Sequence, residues 1–171
     1  PLASHSMPLH CPIYQKSVFD KMIEDLKILG FSVREGKYIS SQYGYLAGKD
    51  KERAEDLMSM FLDPEIDAIM CIRGGWGSNR ILEYLDFNAI RANPKPLIGF
   101  SDITSLHMAI LKESGVVTFH GPVGKSDWTD HTIDSFRSVL IEADKEEYII
   151  TDNDLYTIQP GKAKGRLLGG N

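Results

Sequence analysis

The sequence predicts an α/β fold in three layers (α/β/α), with helices on both faces of a mostly parallel sheet. Two observations carry that expectation. Residues 66–72 (IDAIMCI) and 97–100 (LIGF) are short, nearly continuous apolar runs, as strands buried on both faces of a parallel sheet must be. The segments between such runs place apolar residues at 3–4 spacing, the period of helices that cover a sheet. A chain of 171 residues with 42% hydrophobic content can bury one good core, so one domain is expected over residues 1–160. Residues 161–171 read as a linker to, or the start of, a further domain.

Taken in order, residues 1–13 (PLASHSMPLHCPI) hold three prolines and no periodicity and read as a loop. The strand that should lead the sheet is missing from this reading, and His5 and His10 read as surface side chains. Over 14–29, Phe19, Met22, Ile23, Leu26 and Leu29 mark an amphipathic helix that Gly30 ends. Residues 31–33 read as a short strand. Residues 36–49, with three glycines and three tyrosines, form a long loop, read as a connector in preference to a lid. Asp50 is the expected N-cap of a helix reaching Leu62, with Ala54, Leu57, Met58 and Phe61 on one face and Pro64 beyond it. Short helices follow over 78–85 and up to Ala92. After Leu97, Ile103, Leu106, Ala109 and Ile110 define a helix stopped by Gly115. Residues 116–119 form the next strand, and Ile133, Phe136, Val139 and Leu140 a helix over 132–143. Short strands are expected at 148–150, 156–158 and 162–168.

Ser101 lies where the strand over 97–100 gives way to a helix. At the carboxyl ends of strands in open α/β sheets lies the crevice that takes ligands. The first N–H groups of the helix have no intrahelical partner there, and its dipole adds positive potential. A hydroxyl so placed can attack a carbonyl while N–H groups stabilise the oxyanion. Ser and Asp at such a junction are also ordinary helix caps, and Gly99-Phe100-Ser101 is only half of a G-x-S-x-G elbow, since Ile103 stands at the second glycine position. The turn Arg73-Gly74-Gly75-Trp76-Gly77-Ser78 follows the other buried run. Its glycines admit three readings: a plain turn, a cradle for an anion, or a source of N–H donors facing Ser101. It has neither the Lys-Ser/Thr of a P-loop nor dinucleotide-fingerprint spacing. His120, before Gly121-Pro122, fits a structural role better than a catalytic one, and His107 reads as packing or surface.

The formal net charge of −5 argues against a nucleic-acid surface, and no run of about 18 apolar residues exists to span a membrane. No basic region followed by an apolar core opens the sequence. Cys11 and Cys71 are too few for a metal cluster or a disulfide framework and fit two reduced thiols of a cytoplasmic protein. No metal site is expected.

Four segments, RGGWGSNRIL (73–82), PKPLIGFSDITSLH (94–107), TFHGP (118–122) and GRLLGGN (165–171), together resemble the murein LD-carboxypeptidases and the related microcin-immunity hydrolases, a serine peptidase family. The resemblance runs from about Tyr14 over most of the chain and matches that family's N-terminal domain, a flavodoxin-like or glutamine-amidotransferase-like α/β unit. It implies that Ser101 is the nucleophile of a Ser-His-Glu triad. It also implies an oxyanion hole made by the N–H of Asp102 and an N–H of the Gly74-Gly75 turn. Arg73 and Trp76 are the candidate substrate contacts, and Arg73 and Arg80 are candidates by charge for holding a terminal carboxylate. The implied reaction is hydrolysis of the L,D-peptide bond to the terminal D-alanine of a murein tetrapeptide, in the cytoplasm and without a cofactor. Hydrolysis of a peptide–nucleotide amide and a non-catalytic anion-binding module are the alternatives. None of His5, His10, His107, His120 and His131 matches the family's catalytic histidine. The triad His and Glu are therefore expected in a C-terminal domain outside this sequence, leaving the 171-residue chain inactive alone and prone to form a homodimer.

Overall fold

A computed structural model describes residues 2–5, 16–142, 156–165 and 168–170. Its frame is a four-stranded parallel sheet in the order β1 (Leu2–His5), β2 (Ala68–Cys71), β3 (Leu97–Gly99), β4 (Phe119–His120). In register, Leu2 lies beside Ala68, Ile69 beside Leu97, and Ile98 beside Phe119. The helices are α1 (Lys16–Ile28), α2 (Asp50–Leu62), α3 (Phe87–Ala92), α4 (Thr104–Ser114) and α5 (Asp130–Leu140), with 3-10 helices at Ser78–Tyr84 and Ser101–Ile103. Each connection moves one strand in the same direction, and α2, α3 and α4, which lie within those connections, pack on one face with Ile69, Cys71 and Leu97. There α2 packs on α3 and α3 on α4.

The core sits between those helices and the sheet. Ile69, Cys71 and Leu97 meet Leu57, Phe61 and Leu106, all fully buried. Each large apolar side chain buried in this way contributes about 1.5–3 kcal/mol. By strand alternation Met70 and Ile98 point to the other face, and both are buried too. Met22 and Leu26 of α1 are buried outside the main cluster, Met22 lying against Gly124. Both faces of β2 and β3 are thus covered, as a three-layer α/β/α protein requires.

The chain divides into two compact units, Pro1–Ser126 with Gly169–Asn171, and Asp127–Leu168. The second contains α5, whose Thr129 cap accepts the Thr132 N–H, and a Trp128–Phe136 edge-to-face pair with centroids 5.3 Å apart.

Several local expectations change. The leading strand is present: Leu2–His5 pairs along β2, inside the stretch read as a loop. Four residues without β-branching between prolines give no periodic signal, and pairing with β2 decides their conformation. Residues 31–33 form no strand, and β4 is confined to Phe119–His120. Lys49, not Asp50, caps α2, because the Asp50 carboxylate is engaged by Arg53 and Arg80. Residues 156–158 and 162–165 form no strand, while 148–150 and 166–167 lie outside the described residues. The leading helix begins at Lys16, and Cys11 and His10 also lie outside them.

Candidate active site

The site is the junction of β3 and α4. Ser101 has φ 63°, the only positive φ at a non-glycine among the described residues. This left-handed conformation costs a side-chain-bearing residue about 1–3 kcal/mol and is retained where the surroundings fix it. Here the chain must leave β3 and enter a helix within one residue. Gly99 permits the sharp return: a Cβ at Gly99 would stand 3.0 Å from Ile103 Cγ2 and 3.2 Å from Cys71 Cβ. Ile103 therefore fills, fully buried, the place where the elbow pattern has its second glycine.

The glycine turn after β2 packs on that junction. A Cβ at Gly74 would come within 2.8 Å of Ser101 Cβ and 3.2 Å of its Oγ, so glycine is required by close approach. Gly75 and Gly77 have φ of 141° and 105°. Ser78 N–H donates to Asp102 Oδ2 at 2.7 Å, tying the turn to the residue after Ser101. Gly170 closes on the other side; a Cβ there would lie 2.9 Å from Thr104 Cβ in the first turn of α4. Three of the segments singled out in the sequence thus meet around Ser101. The fourth contains β4, whose His120 ring lies edge-on to Phe100, centroids 6.3 Å apart.

Beneath the junction His107 is buried, and its Nε2–H donates to the Gly99 carbonyl at 2.9 Å. Its Nδ1 is bare and has no hydrogen-bond partner. Burial, above all, pushes the His107 pKa down, the His120 ring beside it adding to the effect against the opposing Gly99 bond. Cys71 is buried in the same core, and burial pushes its thiol up to about 12.

Of the residues expected at the site, Ser101, Asp102, Gly74 and Gly75 come together. Trp76 is half exposed and lies against Tyr45 of the 36–49 loop, centroids 5.6 Å apart. Arg73 Nε donates back to the Gly74 carbonyl at 3.2 Å. Arg80 is paired with Asp50 at 2.7 Å. The bond to Arg80, ahead of that to Arg53, holds the Asp50 carboxyl below its usual range. Sequence reasoning missed Arg53, Tyr45 and the carboxylate of Asp102. An arginine in mid-helix carries no local sign that it is buried. No group of three or more potential metal ligands occurs among the described residues, and none of their helices is long and apolar enough to cross a membrane.

A parallel sheet with a positive-φ serine at a strand-to-helix turn defines an α/β protein and shares that turn geometry with nucleophile elbows. Residues 2–121 match the LD-carboxypeptidase N-terminal domain, and the chain belongs to that family of peptidases. A probable murein peptide carboxypeptidase of Bacillus subtilis is 44% identical over 153 residues, 85% of this chain and 47% of that protein. A microcin self-immunity protein solved with aspartyl sulfamoyl adenosine superposes with a TM-score of 0.74 at 33% identity, over 81% of this chain and 44% of that one. A muramoyltetrapeptide carboxypeptidase from Oxalobacter formigenes gives 0.72 at 28% identity, over 82% and 48%. The chain spans about half the length of these relatives.

Proposed function

We propose that this chain is the nucleophile-bearing part of a serine carboxypeptidase that removes the terminal D-alanine of murein tetrapeptides. The observation that carries the reading is the strained Ser101 with Gly74 packed on its side chain. In this mechanism Ser101 Oγ attacks the carbonyl of the diamino acid and loses its proton to a histidine base. The negative charge on the carbonyl oxygen is taken up by the Asp102 N–H, in the first helical turn where such groups lack intrahelical partners, and by an N–H of the Gly74-Gly75 turn. Collapse of the tetrahedral intermediate breaks the C–N bond, and D-alanine leaves with the proton from the base. Water, deprotonated by the same base, then hydrolyses the acyl-Ser101 ester.

The base and the Glu that orients it are assigned to the part of the relatives that this chain does not span. The 171 residues alone are therefore expected to turn over substrate poorly. In intact serine proteases, loss of a triad member leaves about 10³–10⁴-fold acceleration over water. Arg73 and Trp76, next to the oxyanion turn, are assigned to substrate binding. Binding by Arg73 requires its guanidinium to leave the Gly74 carbonyl. The reading needs no metal or organic cofactor and places the reaction in the cytoplasm.

The test is D-alanine release from a murein tetrapeptide by the full-length protein and by Ser101→Ala. Release by the parent with a loss of several orders of magnitude in the variant supports the reading. The ligand of the solved self-immunity protein supports a second substrate class, an aminoacyl–nucleotide amide. Hydrolysis of that amide, with no D-alanine release, would select it.

A further inference from the structure

We infer that Arg53 and the carboxylate of Asp102 are positioning residues that hold the oxyanion turn by gripping one peptide group from both ends. Arg53 is 1% exposed, yet Nη1 and Nη2 both donate to the Gly77 carbonyl, each at 3.2 Å. The N–H of that same peptide unit, on Ser78, donates to Asp102 Oδ2 at 2.7 Å. A cation therefore sits at the carbonyl end of the peptide dipole and an anion at its N–H end. Both charges favour one orientation and oppose a flip of the peptide plane.

Gly77, at φ 105°, supplies the left-handed backbone that turns its carbonyl toward α2. Arg53 is neutralised by Asp50, which also binds Arg80, so the buried guanidinium is not left unpaired. Burying a cation to hold a single carbonyl is costly, and a hydrophobic side chain would serve packing as well. Its Nε has no partner, which sets the orientation of the fork toward Gly77 and Asp50 above full satisfaction of its donors. The clamp fixes the downstream end of the turn, while the packing of Gly74 on Ser101 fixes the upstream end. The N–H groups of 74 and 75 lie between two anchored points.

Because Asp102 follows Ser101, the nucleophile and the oxyanion turn are tied together through one side chain. This inference rests on the reading of Ser101 as nucleophile and of the turn as oxyanion hole. A donor misplaced by a loosened turn loses part of the roughly 10²–10³-fold that one oxyanion donor provides.

The experiment compares Asp102→Ala, Asp102→Asn and Arg53→Lys in the full-length protein. It reads kcat and KM for D-alanine release, the rate at which a fluorophosphonate probe labels Ser101, and exchange protection of the Ser78 amide. Asp102→Ala is expected to lower kcat and the labelling rate about 10- to 100-fold, with KM changed less than about threefold. Ser78 protection falls with them. Asp102→Asn keeps an acceptor and recovers most of the rate, and Arg53→Lys lies between. An Asp102→Ala protein that is folded, labels at the parental rate and keeps Ser78 protected would overturn the clamp. Failure of the parent to release D-alanine while Ser101 still labels would reject the substrate reading and leave the labelling and exchange arms to decide the clamp.

Discussion

Ser101 concentrates the cost of the site in a single residue. Its φ of 63° suits glycine better than serine, so Ser101→Gly is expected to raise stability by about 1 kcal/mol in urea titration while abolishing activity. An unchanged or lower midpoint would show that the turn is not strained. His107 makes a pH prediction. Its folded pKa lies below the unfolded value, so below about pH 6.5 the unfolded chain binds a proton that the folded chain refuses. Stability is therefore complete above that pH and falls as pH drops through the window down to the folded pKa. His107→Gln should flatten this pH dependence in denaturant melts at pH 5–8. Cys71, buried and with its pKa near 12, should resist thiol reagents until the protein unfolds. At this scale the residues alone left Ser101 and Asp102 open between helix caps and a site, and the glycines between a turn and a donor set; the resemblance of the ordered motifs singled them out. It could not point to the buried charges. Arg53 in α2 is indistinguishable in sequence from an exposed helical arginine, and only the fold brings it to Gly77.

At the scale of elements, the long 36–49 loop is tethered. Asp56, buried in α2, accepts the N–H groups of Lys37 and Tyr38, both at 2.9 Å, and Leu46 and Ala47 are buried. The connector reading thus fits better than a lid, and the loop presents Tyr45 to Trp76 from an anchored base. Asp56→Ala leaves two N–H groups without their acceptor and is expected to cost about 1–3 kcal/mol. Faster hydrogen exchange at Lys37 and Tyr38 would localise the effect; unchanged exchange would refute the tether. Gly74→Ala belongs here as well, because it pushes the turn off the junction. With 2.8 Å to Ser101 Cβ, it should lower kcat/KM about 10²-fold in a folded protein. The strongly periodic helices α1, α2 and α4 were legible to within a few residues. The strands were not: a four-residue parallel strand such as Leu2–His5 is chosen by its neighbour, and β4 keeps only two residues of a longer apolar run. At 31–33, a short β-forming triplet is not a strand.

For the whole molecule, the three-layer arrangement follows from two apolar runs buried on both faces. Its consequence is that β2 and β3, adjacent and parallel, deliver the glycine turn and Ser101 to the same end of the sheet. That convergence was one of three readings of the glycine turn and the one the resemblance implied, and the packing of Gly74 on Ser101 agrees with it. The division at Ser126, and the placing of Gly170 beside α4, depend on tertiary packing and have no counterpart in periodicity.

The measurement that bears most directly on the account is peptide mapping of the full-length protein after acid quench of a single turnover on a murein tetrapeptide. An acyl adduct, lighter than the substrate by D-alanine, is expected on the peptide that carries Ser101, and none in Ser101→Ala. Turnover by Ser101→Ala at the parental rate, with no adduct at Ser101, would contradict it.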